Sequence, residues 1–357
     1  MTPNGPADAP DVVDVVALGE SMVTFLPTRP GRLADVPSFE RAIGGAESNV
    51  ACVLASAGHS VRWVGRVGTD GFGDHLVEAI AAYGVDTSAV RRDPARPTGI
   101  YFRTAGDRAS DAHEVAYYRA GSAASAMTKD NVGVDAVRSG RVLHLSGITA
   151  ALSEDCLGLM RELTAPRAGR PLVSFDVNHR AHLWHHQEPG KVLLDLARGS
   201  DLVFVGEDEA EAAWGVTGGP ATIRAALPEP RALVVKQGSR GATLFQGDGE
   251  GFQGEGDTVT FVPSLKVDVV APVGAGDAFA AGFLSATLRA LPARDRLRHG
   301  HLMAAAALTV PGDLAAPPSR EHADRLAALD DRAWETLRLG PGWTEAVTRA
   351  QEEVRTP

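Results

Sequence analysis

Three short stretches of this chain combine glycine with residues that can donate, accept or carry charge. The first is GAGDAFAAGF, residues 274–283. Gly274, Ala275 and Gly276 let backbone approach a ligand, and open amides at a helix start form an anion site, so this stretch suits the cradling of a phosphate. Asp277, when ionised, only accepts hydrogen bonds, which makes it a poor phosphate ligand and a good acceptor for a hydroxyl proton. Taken alone it is as well suited to cap the helix. The second stretch is VVKQGSRGATLF, with Lys236, Gly238, Ser239 and Gly241. Its plainer reading is a hairpin turn between two β-branched runs. The third is IGGAESNVACVLASAG, where Gly44 and Gly45 allow a hydroxylated ligand to lie against bare backbone and Asn49 offers both a donor and an acceptor. Here the plainer reading is a glycine turn with Glu47 favouring the helix dipole.

Other chemistries lack their residues. There is no G-x-x-x-x-G-K-[ST], and no G-x-G-x-x-G follows the first β-branched run, so P-loop and dinucleotide readings lose their main support. His179, His182, His185 and His186 surround Arg180, but without an H-E-x-x-H pattern or cysteine partners they do not read as a metal site. Cys52 and Cys156 are too few for a disulfide framework and fit a reducing cytoplasm.

The elements that must position these stretches follow from periodicity. Short β-branched runs at 12–18, 61–67, 142–146, 172–176, 202–205 and 232–236 alternate with helical patterns at 47–57, 72–83, 154–163 and 207–214. That alternation predicts βαβ units and a largely parallel sheet covered on both faces, with ligands beyond the carboxyl ends of the strands. Segments 22–42 and 99–119 break the rhythm and read as a small β lid. Residues 1–10 have neither a basic n-region nor an apolar core and read as a disordered tail. After Pro317 the chain reads as outer packing helices, ending in an amphipathic piece at 343–354. The 35 Lys and Arg against 45 Asp and Glu give a net charge of -10, which argues against nucleic acid and anionic membranes as partners and for a small molecule.

GGAESN, KQGSRG and GAGDAFAAGF, in that order and at these separations, resemble the ribokinase-like (PfkB) family of carbohydrate kinases over about residues 13–313. The resemblance implies an α/β, ribokinase-like three-layer sandwich with a mostly parallel central sheet and a small β lid, the chain forming a single domain with lid segments at about 20–43 and 97–121. It implies ATP and Mg²⁺, with Asp277 as general base and the Gly274, Ala275 and Gly276 amides stabilising charge during phosphoryl transfer. Lys236, Gly238, Ser239 and Gly241 would line the nucleotide pocket, with Asn178 on the cofactor side. Glu209 falls at the last position of an N-x-x-E motif that organises Mg²⁺ through water.

Within the family, GGAESN, VAYYRAGSAAS and FDVNHRAHLW are similar to segments of 2-keto-3-deoxygluconate kinases. By that resemblance Gly44, Gly45 and Asn49 face the substrate, Arg119 and Arg180 bind its carboxylate, and Asp313 reaches it from the loop VPGD. Tyr101 and Tyr117 would cover the ligand; strand alternation sends Tyr117 and Tyr118 to opposite faces, so at most one of that pair touches it. The bland reading of Arg119 is an edge-strand charge.

The chain departs from the family twice. Ala271 replaces the first aspartate of D-x-x-G-A-G-D, which bears on a monovalent-cation loop, and Gly206 stands where N-x-x-E has asparagine. A fructokinase, a ribokinase or another neutral-sugar kinase is the alternative within the fold. A catalytically inactive sugar- or nucleotide-binding protein is the alternative of another class. Exposed lid edges and the frequency of two-fold oligomers predict a homodimer through the lid.

Overall fold

The computed structural model describes residues 12–104, 114–184, 188–247 and 256–345. The tail at 1–10 and most of the amphipathic piece at 343–354 lie outside them. The β-branched runs form one eight-stranded sheet in the order Thr258–Pro263, Gly241–Gln246, Ala232–Lys236, Leu202–Gly206, Leu172–Asp176, Gly140–Ser146, Val13–Leu18, Val61–Val64. The strands from Ala232–Lys236 to Val61–Val64 run parallel; Gly241–Gln246 pairs antiparallel with Ala232–Lys236, and Thr258–Pro263 pairs antiparallel with Gly241–Gln246. Alternation puts Val15 and Ala17 into one buried core and Val16 and Leu18 into another, one on each face of the sheet. The result is the three-layer α/β sandwich expected.

One expected strand is shorter than its pattern. The run at 61–67 stays in the sheet only to Val64, and Arg66–Gly68 pairs instead with Arg91–Asp93. Gly65 makes the break: a β-carbon there would lie 2.6 Å from the Trp63 ring, so the chain bends past the indole where no side chain is present.

The lid is a four-stranded sheet ordered Phe39–Gly44, Met22–Pro27, Ile100–Arg103, Val115–Tyr118. Its strands come from the two segments that break the α/β rhythm. Phe102 stacks on Phe25 with centroids 4.7 Å apart and meets Phe39 edge-on at 5.2 Å. This aromatic cluster uses the face opposite to Tyr101 and Arg103, which are therefore free to point elsewhere.

The helix Ala275–Leu288 packs between helices Ala46–Ser56 and Ala293–Leu308. Its small residues permit the close crossing: a β-carbon on Gly282 would collide with the carbonyl of His299. The Phe204 ring meets Phe279 and Phe283 edge-on and fastens the helix to the sheet; losing such a ring costs about 3–5 kcal/mol. Beyond residue 317, helices Arg320–Ala327 and Asp331–Thr336 start at Ser319 and Asp330, whose side chains accept from backbone amides. They pack outside, where Trp334 is buried under the Arg298 guanidinium at 4.5 Å. Only a single turn, Trp343–Glu345, is seen of the last piece.

Candidate active site

A cavity of about 790 Å³ opens at the carboxyl ends of the parallel strands, between the main sheet and the lid. Asp176, Gly206 and Lys236, the last residues of three adjacent strands, reach it from the sheet. A second, more apolar cavity of about 660 Å³ adjoins it. The two share Lys236, Gly238, Ala275 and Gly276, so they meet at the start of helix Ala275–Leu288. The first amides of that helix have no carbonyl one turn back to bond, and they stand at the junction.

Asp277 is not the cap of this helix. Gly274 occupies that position with a left-handed φ of 74°, and Asp277 lies in the first turn beyond it. Its carboxylate accepts a hydrogen bond from Asn49 Nδ2 at 2.8 Å and lines the first cavity. Burial pushes the carboxyl up to about 7; the Asn49 hydrogen bond opposes that rise, the nearby Asp176 charge adds to it and Arg180 opposes it. A carboxylate titrating there holds a substantial affinity for a proton near neutral pH, which is what a general base requires.

Around it lies a charged network. Lys236 Nζ donates to both Asp176 oxygens at 3.0 and 3.1 Å and stands 3.7 Å from Glu209. Burial works against the lysine's charge, but Asp176 and Glu209 outweigh it and hold its pKa above the usual value. Glu209 also accepts from the Gly206 amide at 2.7 Å and lies 3.8 Å from Arg180. A β-carbon on Gly206 would collide with Asp208, so a carboxylate occupies space that a side chain at 206 would need. Asp208 and Glu209 both line the cavity. Among the described residues no three His, Cys, Asp or Glu side chains cluster as a metal cage.

On the lid side, Tyr101 donates to Asp313 Oδ2 at 2.9 Å, and Arg103 donates to Asp313 Oδ1 at 3.0 Å. Burial raises the Asp313 pKa, with Arg103 and Tyr101 opposing the rise. Arg119 is paired with Glu20, which also accepts from Ser122 at 2.6 Å. Tyr117 lines the cavity and stacks on His182 at 5.3 Å, whereas Tyr118 is 65% exposed on the other face of its strand. Gly44 is bare because a β-carbon there would collide with the Tyr101 hydroxyl; on Gly45 it would collide with the Glu20 carbonyl.

The fold thus brings Gly44, Gly45, Asn49, Tyr101, Tyr117, Arg119, Asn178, Arg180, Glu209, Gly274, Ala275, Gly276, Asp277 and Asp313 to one cavity. Lys236, Gly238, Ser239 and Gly241 line the second. The KQGSRG stretch is a hairpin turn, as its plainer reading has it, and its glycines also face that cavity. Asn178, read as a cofactor-side residue, opens on the first cavity and not the second; it is buried with φ 39° and its Oδ1 has no hydrogen-bond partner. Sequence reasoning missed Arg103, Glu20 and Asp176. Asp176 ends the predicted strand at 172–176 and was findable by position; the other two emerge only when the lid is folded.

Comparison with known proteins identifies the family. Residues 13–320 match the model of the pfkB family carbohydrate kinases. The chain is similar to the 2-dehydro-3-deoxygluconokinase of Bacillus subtilis, with 34% identity over 87% of this chain and 94% of that protein. It is similar to Fructokinase-1 of Zea mays, with 32% identity over 76% of this chain and 81% of the relative. Among solved structures, the PfkB protein from Polaromonas sp. JS666 superposes with a TM-score of 0.74 at 34% identity, covering 87% of this chain and 99% of the other.

Proposed function

The chain belongs to the pfkB family of carbohydrate kinases and is an ATP-dependent sugar kinase, and from that premise we propose that it phosphorylates the terminal primary hydroxyl of a sugar acid, 2-keto-3-deoxygluconate. The observation that carries the transfer chemistry is the meeting of two cavities at the helix start that bears Asp277. The apolar cavity takes the adenine, and the lid-side cavity takes the acceptor. Asp277 removes the acceptor hydroxyl proton as that oxygen attacks the γ-phosphorus and the bond to the β-phosphate oxygen breaks, releasing ADP. The Gly274, Ala275 and Gly276 amides stabilise the charge on the transferring group. Glu209, with Asp208 beside it, would hold Mg²⁺, which when bound would supply neutralisation of phosphate charge.

A carboxylate on the acceptor is supported by Arg180. It is half-exposed into the cavity, donates from Nη1 to the His179 carbonyl at 3.1 Å, stands 3.8 Å from Glu209, and has a guanidinium suited to a carboxylate. The similarity to the 2-dehydro-3-deoxygluconokinase supports the same acceptor. A neutral ketose is the competing acceptor, favoured by the similarity to Fructokinase-1. The same reading includes a homodimer through the lid, supported by the exposure of Val115 and Tyr118 on an edge strand, and a cytoplasmic location, with which the unpaired Cys52 and Cys156 are in keeping. The test is ADP release with ATP and Mg²⁺ against 2-keto-3-deoxygluconate, fructose, ribose and adenosine, for the wild type and Asp277→Asn. Turnover confined to the sugar acid and lost in the variant supports the reading; turnover on fructose alone replaces the acceptor.

A further inference from the structure

The lid and the start of the Asp277 helix meet at Asp313. From the inner lid strand Ile100–Arg103, Tyr101 donates to one oxygen of its carboxylate, and Arg103 donates to the other at 3.0 Å and to the carbonyl of Pro311 at 2.9 Å. All three side chains are buried. On its other side, the Asp313 backbone lies directly against Gly274, where a β-carbon would collide with the Asp313 carbonyl. A β-carbon on Gly44 would sit 2.7 Å from Asp313 Oδ2. Two glycines of the site are therefore bare where this joint passes between them, and one of them sets the left-handed turn that opens the helix.

We propose that Arg103 is a positioning residue for phosphoryl transfer: by gripping the 311–313 loop from the lid, it seats the Gly274 turn in the geometry that aims the helix-start amides at the transferring group. Arg103 makes two hydrogen bonds at once, to a carboxylate and to a carbonyl two residues away. Both leave from the one nitrogen Nη2, whose two N–H groups are fixed at trigonal angles in the guanidinium plane, whereas a lysine ammonium carries its donors on a freely rotating head at the end of a shorter, flexible stem. Tyr101 alone leaves the loop free to pivot about a single hydrogen bond. The inference rests on the assignment of the Asp277 helix start as the transfer site and does not depend on which sugar is the acceptor.

The experiment measures steady-state kinetics of Arg103→Ala and Arg103→Lys with the acceptor that the wild type turns over best, alongside thermal melts. In Arg103→Ala, kcat is expected to fall about ten- to a hundredfold, since small misplacements of reacting groups cost that much, while KM for ATP moves less than about threefold. Arg103→Lys recovers only part of the loss, and millimolar guanidinium, but not urea, raises kcat of Arg103→Ala. A folded Arg103→Lys enzyme with wild-type kcat overturns the proposal, and it decides the matter if Arg103→Ala does not fold. A rise in acceptor KM with kcat intact also overturns it, because Arg103 would then bind and not position. Turnover on a neutral sugar alone would sink the sugar-acid reading and leave this test standing.

Discussion

Asn49 and Asp277, 228 residues apart in sequence, share a 2.8 Å hydrogen bond in which the amide nitrogen donates to the carboxylate. That bond favours the ionised form of a group that burial pushes up to about 7. In the proposed mechanism the other carboxylate oxygen takes the acceptor proton.

Asn49→Leu removes the donor at similar volume, so the Asp277 pKa rises further. Because the base works deprotonated, activity grows as pH rises through that pKa, and the acidic limb of the kcat profile must move to higher pH in the variant. A limb that stays in place or moves down would show that Asp277 does not govern it.

Arg180 and Arg119 give different answers when removed. Arg180→Ala is expected to lower kcat/KM for a sugar acid about ten- to a hundredfold more than for fructose, the worth of a charge-assisted hydrogen bond, while the accompanying rise in the Asp277 pKa affects both acceptors alike and cancels in their ratio. Arg119→Ala strands Glu20, whose side chain is 1% exposed, and breaking such a buried pair costs about 3–5 kcal/mol. Urea unfolding would register that loss whatever the substrate, so only Arg180 reports cleanly on the acceptor. An Arg180→Ala enzyme that loses both acceptors equally would remove the carboxylate argument.

Glu47 is buried with Thr149 donating to it at 2.7 Å, and burial pushes its carboxyl up to about 8. The folded state therefore holds a proton that the unfolded state has lost above about 4.5. A raised folded pKa means that stability is fully present at low pH and declines as pH rises through about 8, and Asp277 acts with the same sign. The melting temperature is expected to fall between pH 6 and 8.5, and to fall less in Glu47→Gln. Equal slopes for the two proteins would refute this role for Glu47.

Gly282→Ala places a methyl group against the His299 carbonyl and is expected to destabilise the protein by about 1–3 kcal/mol through overpacking. Denaturant midpoints read this directly. If the helices part to make room, kcat falls as well, because the displaced helix carries Asp277.

Periodicity made the sheet and its two cores legible, since Val15, Val16, Ala17 and Leu18 alternate between faces as their sequence demands. The glycine stretches likewise marked where backbone faces ligand. The break at Gly65 was not legible, because it depends on where the Trp63 ring lies. Nor could the sequence distinguish a capping Asp277 from one bonded to Asn49, a choice set by how two distant helices pack. The pairings Arg119 with Glu20 and Arg103 with Asp313 join the lid to segments far along the chain, and no local pattern encodes them.

The burial of helix Ala275–Leu288 between helices Ala46–Ser56 and Ala293–Leu308 also constrains how the protein is made. On the ribosome, most strands of the sheet emerge before the helix that covers one of their faces. Until about residue 308 has left the exit tunnel, the Phe204 ring and the side of Ala46–Ser56 that faces the Asp277 helix have no permanent cover. Synthesis at about 5–20 residues per second leaves the Phe204 face open for roughly 5 to 20 seconds, time in which it is vulnerable to aggregation and attractive to chaperones. A nascent chain stalled short of the Asp277 helix would be both inactive and adhesive.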